Sequence, residues 1–310
     1  MIPLGKFTRS NGASSDVIEG IQSFSRAHDP FSSLPVVFCP ELVGRYDVKR
    51  GLMCMLANRI DRDFEEQRRR RERLHILLYG TPGTGKTIPL DYLSRDWSAT
   101  YISANPSSAS LKGDARRKDR GVQLFASQSG LPICIDEFEL MEDTDILRDV
   151  MELGKYTITK GGTHEEYDAQ CSIVAATNDL SFLSPAMLSR FDLVYSFEPP
   201  TYDESVEIAK NLLEVEENGA GVRLTRDFLR EHINLSSCYD PEMIERDNIL
   251  SEMERHFRTT GKGKTGRWIA SVYRISRAIA KIRFTDWGVD EVSCAIRMKS
   301  YSDMVIDNAV

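Results

Sequence analysis

The chain has 310 residues, 41% hydrophobic and 28% charged, enough for one large domain or two modest ones. No apolar stretch approaches the roughly 18 to 20 residues of a membrane span, and the opening MIPLGKFTRSNGASS has no hydrophobic signal core; a cytoplasmic protein without a membrane partner is expected, nucleoid-associated if the cell is prokaryotic. A net charge of −7 argues against a surface coated for nucleic acid, and six cysteines scattered singly suggest neither zinc nor a disulfide frame.

Residues 1–15 are expected to form a disordered or extended tail. A helix follows from Asp16 to about Ala27, with Val17, Ile18, Ile21 and Phe24 on one face. A second runs from Arg45 through Glu72, placing Val48, Leu52, Met55, Leu56 and Ile60 together. The apolar run HILLY then predicts a strand at about 74–79, and a helix begins at Lys86 and Thr87, where Pro89 near its start costs little. Further strands are expected at 100–103, 132–136 and 171–177. Beyond Pro199 and Pro200 the pattern is helical: 203–215, 227–232, 241–258 and 266–284. Loops are expected at 216–221 and 259–266.

Between HILLY and the helix lies GTPGTGKT: Gly80, Thr81, Pro82, Gly83, Thr84, Gly85, Lys86 and Thr87. This is the P-loop spacing, whose glycines let backbone N–H groups close around nucleotide phosphates. Lys86 suits the β and γ phosphates and the Thr87 hydroxyl suits Mg²⁺. Asp136 and Glu137 follow the apolar run LPICI; the first would hold the metal and the second would accept a proton from an attacking water. Asn178, closing the strand CSIVAAT, can orient that water. Arg190 in LSRFD offers a planar cation for γ-phosphate charge, working on a neighbour's nucleotide in a ring of subunits, and Arg267 is a candidate second phosphate sensor. These are the positions that a hydrolytic ATPase of the AAA+ class needs. The expected fold is therefore α/β: a three-layer α/β/α P-loop core with a parallel sheet at 16–200, followed by a smaller all-helical lid at 201–310.

Several strings are more specific than a P-loop alone: HILLYGTPGTGKT, ICIDEFELM, MELGKYTITKGG, IVAATN and MLSRFDLVYSF. With them the chain resembles the motor domain of the minichromosome-maintenance (MCM) replicative helicases, from about Asp16 to Asp303. The resemblance implies an ATP- and Mg²⁺-dependent DNA helicase or translocase built as a homo-oligomeric ring, with hexamer the expected size, gripping the DNA backbone without regard to sequence. It implies a channel hairpin with Lys160 at its DNA-contacting position. It also implies a second channel insertion at about 107–125, which contains the basic run KGDARRKDR with Lys112, Arg116, Arg117 and Lys118. Other basic runs are Arg68 to Arg71 with Arg73, and KGKTGR at 262–267.

The departures are equally plain. The family normally carries an amino-terminal DNA-binding region, whereas about 15 residues precede the matched part, so a motor lacking that region is expected. The loop has GTGKT where the family usually has an Ala and a Ser, MELGK lacks the family's glutamine pair, and the channel insertion is shortened. Two other readings stay open: an ATP-switched initiator or loader that binds DNA without unwinding it, and a protein-remodelling AAA+ ATPase.

Overall fold

The computed structural model describes residues 15–58, 72–102, 130–141, 144, 146–160, 163–217, 219–261 and 264–309. The chain divides into two units, Met1–Asn58 with Pro200–Asp303, and Arg59–Pro199 with Met304–Val310. Pro200 thus opens the later part of the first unit. The helices before residue 58, assigned above to the P-loop core, group with that later part.

In the second unit five strands form one parallel sheet: β1 (Ile76–Gly80), β2 (Thr100–Ile102), β3 (Pro132–Ile135), β6 (Ser172–Thr177) and β7 (Leu193–Phe197). Their order is β2-β3-β6-β1-β7, and β4 (Lys155–Lys160) pairs with β5 (Thr163–Asp168) as a separate antiparallel hairpin. The sequences ILLYG, PICI and SIVAAT are unbroken apolar or small runs, and nearly every residue in them is buried. That is the pattern of parallel strands covered on both faces by helices. Leu77, Ile133, Ile135, Ile173, Ala175 and Val194 meet Leu147, Val150 and Met151 of the helix Ile146–Leu153 in one core.

The base of β1 is fastened by His75, which is fully buried. Its backbone N–H donates to Asp192 Oδ2 at 2.8 Å, its Nδ1 accepts from Ile173 N–H at 3.0 Å, and its Nε2 lies 3.1 Å from the Met151 carbonyl. Accepting at Nδ1 fixes the proton on Nε2, so Nε2–H donates to Met151. Arg73, read above as part of a basic run, is buried, with Nη2 donating to the Val150 carbonyl at 3.4 Å. Strand β7 and the helix Val289–Ala309 are not anticipated by the sequence patterns. β7 has only five residues, and its pairing with β1, not its own periodicity, defines it.

In the first unit the helix Ser15–Ala27 packs the expected stripe, Val17, Ile18 and Ile21, against Phe228, Leu235, Tyr239 and Phe284. The helix Tyr46–Ala57 buries Val48, Leu52, Met55 and Leu56 and stops at Asn58, whose Nδ2 donates to the Arg274 carbonyl at 2.9 Å. Its expected continuation through Ile60 to Glu72 falls largely on residues 59–71, outside the described residues, as do the tail before residue 15 and Arg68 to Arg71. The loop expected at 216–221 is largely helical: Tyr202–Glu217 and Gly219–Cys238 leave one residue between them. Burial of Leu229, Ile233 and Leu235 carries the second helix well past the 227–232 that local pattern suggests. The next helix is Arg246–Thr260, starting five residues after Pro241, because Met243 bridges Trp287 and Ile244 N–H donates to the Trp287 carbonyl. All six cysteines are free. Among the described residues no helix is long and apolar enough to cross a membrane.

His232, buried among the rings of Phe24, Phe228 and Phe284, has Nε2 2.9 Å from the Ile282 carbonyl and no donor at Nδ1 among the described residues. Burial lowers its pKa from 6.5 to about 4. Between those values the unfolded chain binds a proton that the folded chain refuses. This contribution is therefore fully present above pH 6.5 and is lost as pH falls toward 4, by about 3 kcal/mol at most. Urea midpoints measured across that range should fall less steeply in His232→Leu than in the unaltered chain.

Candidate active site

The chain leaves β1 for β2 at one edge of the sheet and ends with β7 on the other side of β1. β1 is therefore the point where strand order reverses, and ligands of such sheets bind outside the carboxyl ends of the strands there. Register decides what meets at that place. Tyr79 pairs with Thr177, Ile135 with Ala175 and Ile102 with Ile135. Each strand ends within a residue or two of those pairs, so the P-loop, Asn178 and the Asp136–Glu137 pair emerge side by side.

Backbone geometry explains the glycines. A Cβ on Gly80 would lie 2.1 Å from the Phe197 carbonyl oxygen on β7, and Gly83 and Gly85 have φ of +80° and +90°, where other residues are strained. Lys86 is largely buried and donates to the carbonyls of Gly80 at 2.6 Å and Thr81 at 2.7 Å, while Thr84 Oγ1 donates to Thr81 at 2.8 Å. Burial pushes the Lys86 pKa down, and the carboxylates of Glu139 and Asp136 oppose that shift. Pro82 completes the loop, and the helix Thr87–Trp97 starts directly behind it.

Asp136 receives three donors. Its Oδ2 accepts from Thr87 Oγ1 at 3.0 Å and from the Tyr101 hydroxyl at 2.6 Å, and its Oδ1 accepts from Glu137 N–H at 2.9 Å. Burial, with the hydrogen bond and charge of Asp136, holds the Tyr101 phenol above its usual range, so it stays a donor. Glu137 is exposed, with φ 48° and ψ 48°, a left-handed conformation uncommon outside glycine. Phe138, fully buried against the rings of Phe182 and Phe191, anchors the next residue. Glu139 reaches across to Asn178: Oε2 accepts its backbone N–H at 3.2 Å and Oε1 accepts its Nδ2.

Arg190 does not join this group. Asp192, two residues on, accepts from His75 N–H at the amino end of β1, and Arg190 Nη2 donates to Glu152 Oε2 at 2.7 Å with Nη1 on the Ala186 carbonyl. Arg267 lies in the first turn of the helix Gly266–Arg283, in the other unit, where the Thr265 hydroxyl caps Trp268 N–H. Lys160 ends β4, opposite Thr163 across the hairpin; its side chain is outside the described residues, as is the run holding Lys112, Arg116, Arg117 and Lys118. Tyr101 and Glu139 are the site residues that sequence reasoning missed. Glu139, two residues after Glu137 in the same acidic string, had a local signal; Tyr101 became legible only once β2 was paired with β3.

The family model for the MCM P-loop domain matches residues 17–216. The chain belongs to the MCM P-loop family. It is 27% identical to the zygotic DNA replication licensing factor mcm3 of Xenopus tropicalis over 275 residues, covering 78% of this chain and 34% of that protein. It is 25% identical to DNA replication licensing factor Mcm5 of Drosophila melanogaster, covering 97% and 47%, and 27% identical to DNA replication licensing factor MCM7 of Arabidopsis thaliana, covering 87% and 43%. The chain therefore spans between a third and a half of the length of these MCM relatives.

The MCM P-loop implies a nucleotide, and the residues present fit one. A left-handed glycine pair, a buried ammonium already bonded to loop carbonyls, and a hydroxyl 3.0 Å from a carboxylate are the donors and acceptors that phosphates and a hard divalent cation use. Gly80→Ala should shift β1 against β7 and cost about 1–3 kcal/mol or more, read as a lower denaturation midpoint. Gly20→Ala, in a helix where an added Cβ meets nothing within 4 Å, should leave stability unchanged or raise it by up to about 1 kcal/mol.

Proposed function

We propose that this chain is an ATP-hydrolysing DNA translocase or helicase motor that works as a homo-oligomeric ring, with hexamer the expected size. The observation that carries the reading is the convergence of Lys86, Thr87, Asp136, Glu137 and Asn178 at the carboxyl ends of three neighbouring strands. Membership of the MCM family and the naming of its relatives as DNA replication licensing factors support it.

In this reading the amides of Gly83 to Thr87 hold the β and γ phosphates and Lys86 exchanges the Gly80 and Thr81 carbonyls for phosphate oxygens. Thr87 and Asp136 hold the metal, with Tyr101 keeping the Asp136 carboxylate aimed. Mg²⁺, when bound, neutralises phosphate charge. Glu137 accepts a proton from the water and Asn178 orients it. Arg190, and Arg267 with it, comes from the adjacent subunit and stabilises charge on the transferred phosphoryl group. Lys160 on the hairpin and the cations at 112–118 contact the DNA backbone.

Steady-state ATP hydrolysis across a protein-concentration series, with and without single-stranded DNA at two salt concentrations, tests the whole. Cooperative dependence on protein and DNA stimulation that fades with salt are expected. Turnover indifferent to DNA would instead favour a protein-remodelling machine, and DNA binding without strand separation a loader.

Two variants probe the parts. Arg190→Ala should retain nucleotide binding and lose up to about 10³ to 10⁵ in turnover, and mixing it with Lys86→Ala should restore part of the loss, since each chain supplies what the other lacks at a shared site. No recovery on mixing would argue against the shared site. Lys160→Ala should remove most of the increment in turnover that DNA produces; an undiminished increment would disprove the channel assignment.

A further inference from the structure

Glu139 lies on the turn Phe138–Leu140, one residue beyond the proposed proton acceptor's neighbour, and its position is set by buried structure. Phe138 is fully buried, and Leu140 N–H donates to Glu137 and Met141 N–H to Phe138 at 2.8 Å and 3.1 Å. Asn178 is equally constrained. Thr177 before it ends β6, and its hydroxyl donates to the Asp179 carbonyl at 2.7 Å while accepting Asp179 N–H at 3.2 Å. Between these two fixed turns Glu139 holds Asn178 by both carboxylate oxygens, one on the backbone N–H and one on Nδ2.

That grip determines which way the Asn178 amide faces. An ionised carboxylate only accepts hydrogen bonds, so the amide must present its NH₂ to Glu139 and its Oδ1 away from it. Among the described residues no hydrogen bond is made to Oδ1. The distinction matters chemically. An attacking water must keep a lone pair for phosphorus and give both hydrogens to acceptors. Asn178 Oδ1 and the Glu137 carboxylate are two acceptors. A flipped amide would instead donate to the water oxygen, drawing electron density from the nucleophile and leaving one of the water's hydrogens without this acceptor.

We propose that Glu139 is a positioning residue for hydrolysis, holding Asn178 with its amide oxygen toward the lytic water. This rests on the hydrolytic reading given above. Glu139 touches no reacting atom; its effect passes through Asn178.

The decisive variant is Glu139→Gln, which keeps the size of the side chain but can itself donate, so the amide loses its fixed sense. Turnover should fall by up to about 10²-fold, with KM for ATP and affinity for a non-hydrolysable ATP analogue within about twofold of the unaltered chain. In an Asn178→Ala background the same substitution should cost nothing further, and Glu139→Asp should recover part of the loss. Hydrogen exchange at the Asn178 backbone amide should quicken in Glu139→Gln. An equal loss in both backgrounds, or a parallel loss of nucleotide affinity, would overturn the proposal; the second outcome would place Glu139's action on Lys86. Unchanged exchange in a chain that hydrolyses ATP would remove the clamp alone. Absence of any turnover in the unaltered chain at high protein concentration would remove the hydrolytic reading, and this proposal with it.

Discussion

Parallel pairing of β1 on both sides is the constraint on which the site depends. At its carboxyl end β1 approaches β7 so closely that Gly80 has no room for a side chain beside the Phe197 carbonyl. At its amino end, His75 ties β1 to β6 through Ile173, to the start of β7 through Asp192, and to the helix before the hairpin through Met151. His75 therefore fixes β1 against β6 through its ring and against the start of β7 through its backbone N–H; the far ends of β1 and β6 carry the P-loop and Asn178, and Asp136 follows β3, the next strand along. Neutral His75 can satisfy Ile173 only with its proton on Nε2, so this fastening also fixes a tautomer. The placement of the P-loop and Asn178 is thus decided partly at the opposite end of their strands.

The parts of the site that could be read from the chain are those written as local strings. GTPGTGKT, the Asp136–Glu137 pair and Asn178 each follow an apolar run, and a strand that ends in a polar group is visible without knowing its neighbours. Partnership between strands is not visible in that way. Tyr101 reaches Asp136 only because Thr100 to Ile102 pair with Ile133 to Ile135. β7 escaped notice for the same reason, since five residues following an aspartate carry too little period to separate strand from helix. In the helical unit the one-sided stripes of Ser15–Ala27 and Tyr46–Ala57 were legible. The helix through 227–238 was longer than its pattern because packing of Leu235 and Tyr239 against Phe284 and Ile21 outweighs local propensity.

Charge around the site is lopsided. Asp136, Glu137 and Glu139 fall within four consecutive residues, and Lys86 is the cation whose ammonium two of them face. An anionic nucleotide alone would meet net repulsion there. Under the proposed reading a divalent cation is therefore needed electrostatically as well as chemically, and Thr87 with Asp136 is where its charge would offset the excess. The Tyr101 hydroxyl and Glu137 N–H share the load on Asp136 meanwhile, each delocalising part of its charge through a hydrogen bond.

Under the proposed reading Arg190 serves another subunit, and its own chain holds it in order. Its side chain is 8% exposed and bonded to Glu152, whose side chain is 40% exposed, at the end of the helix that runs into the β4–β5 hairpin. Removing one partner of a buried pair without replacement costs about 3–5 kcal/mol, and the exposure of Glu152 reduces that figure here. Release of Arg190 is thus unfavourable unless a second anion takes the carboxylate's place. Under the proposed reading that anion is the phosphate of a neighbouring subunit's nucleotide, so engagement of Arg190 would be conditional on an occupied neighbouring site. Glu152, freed at the same moment, belongs to the helix from which the hairpin emerges. The exchange therefore offers a physical route from nucleotide state to hairpin position that needs no element beyond those two side chains and the eight-residue helix Ile146–Leu153.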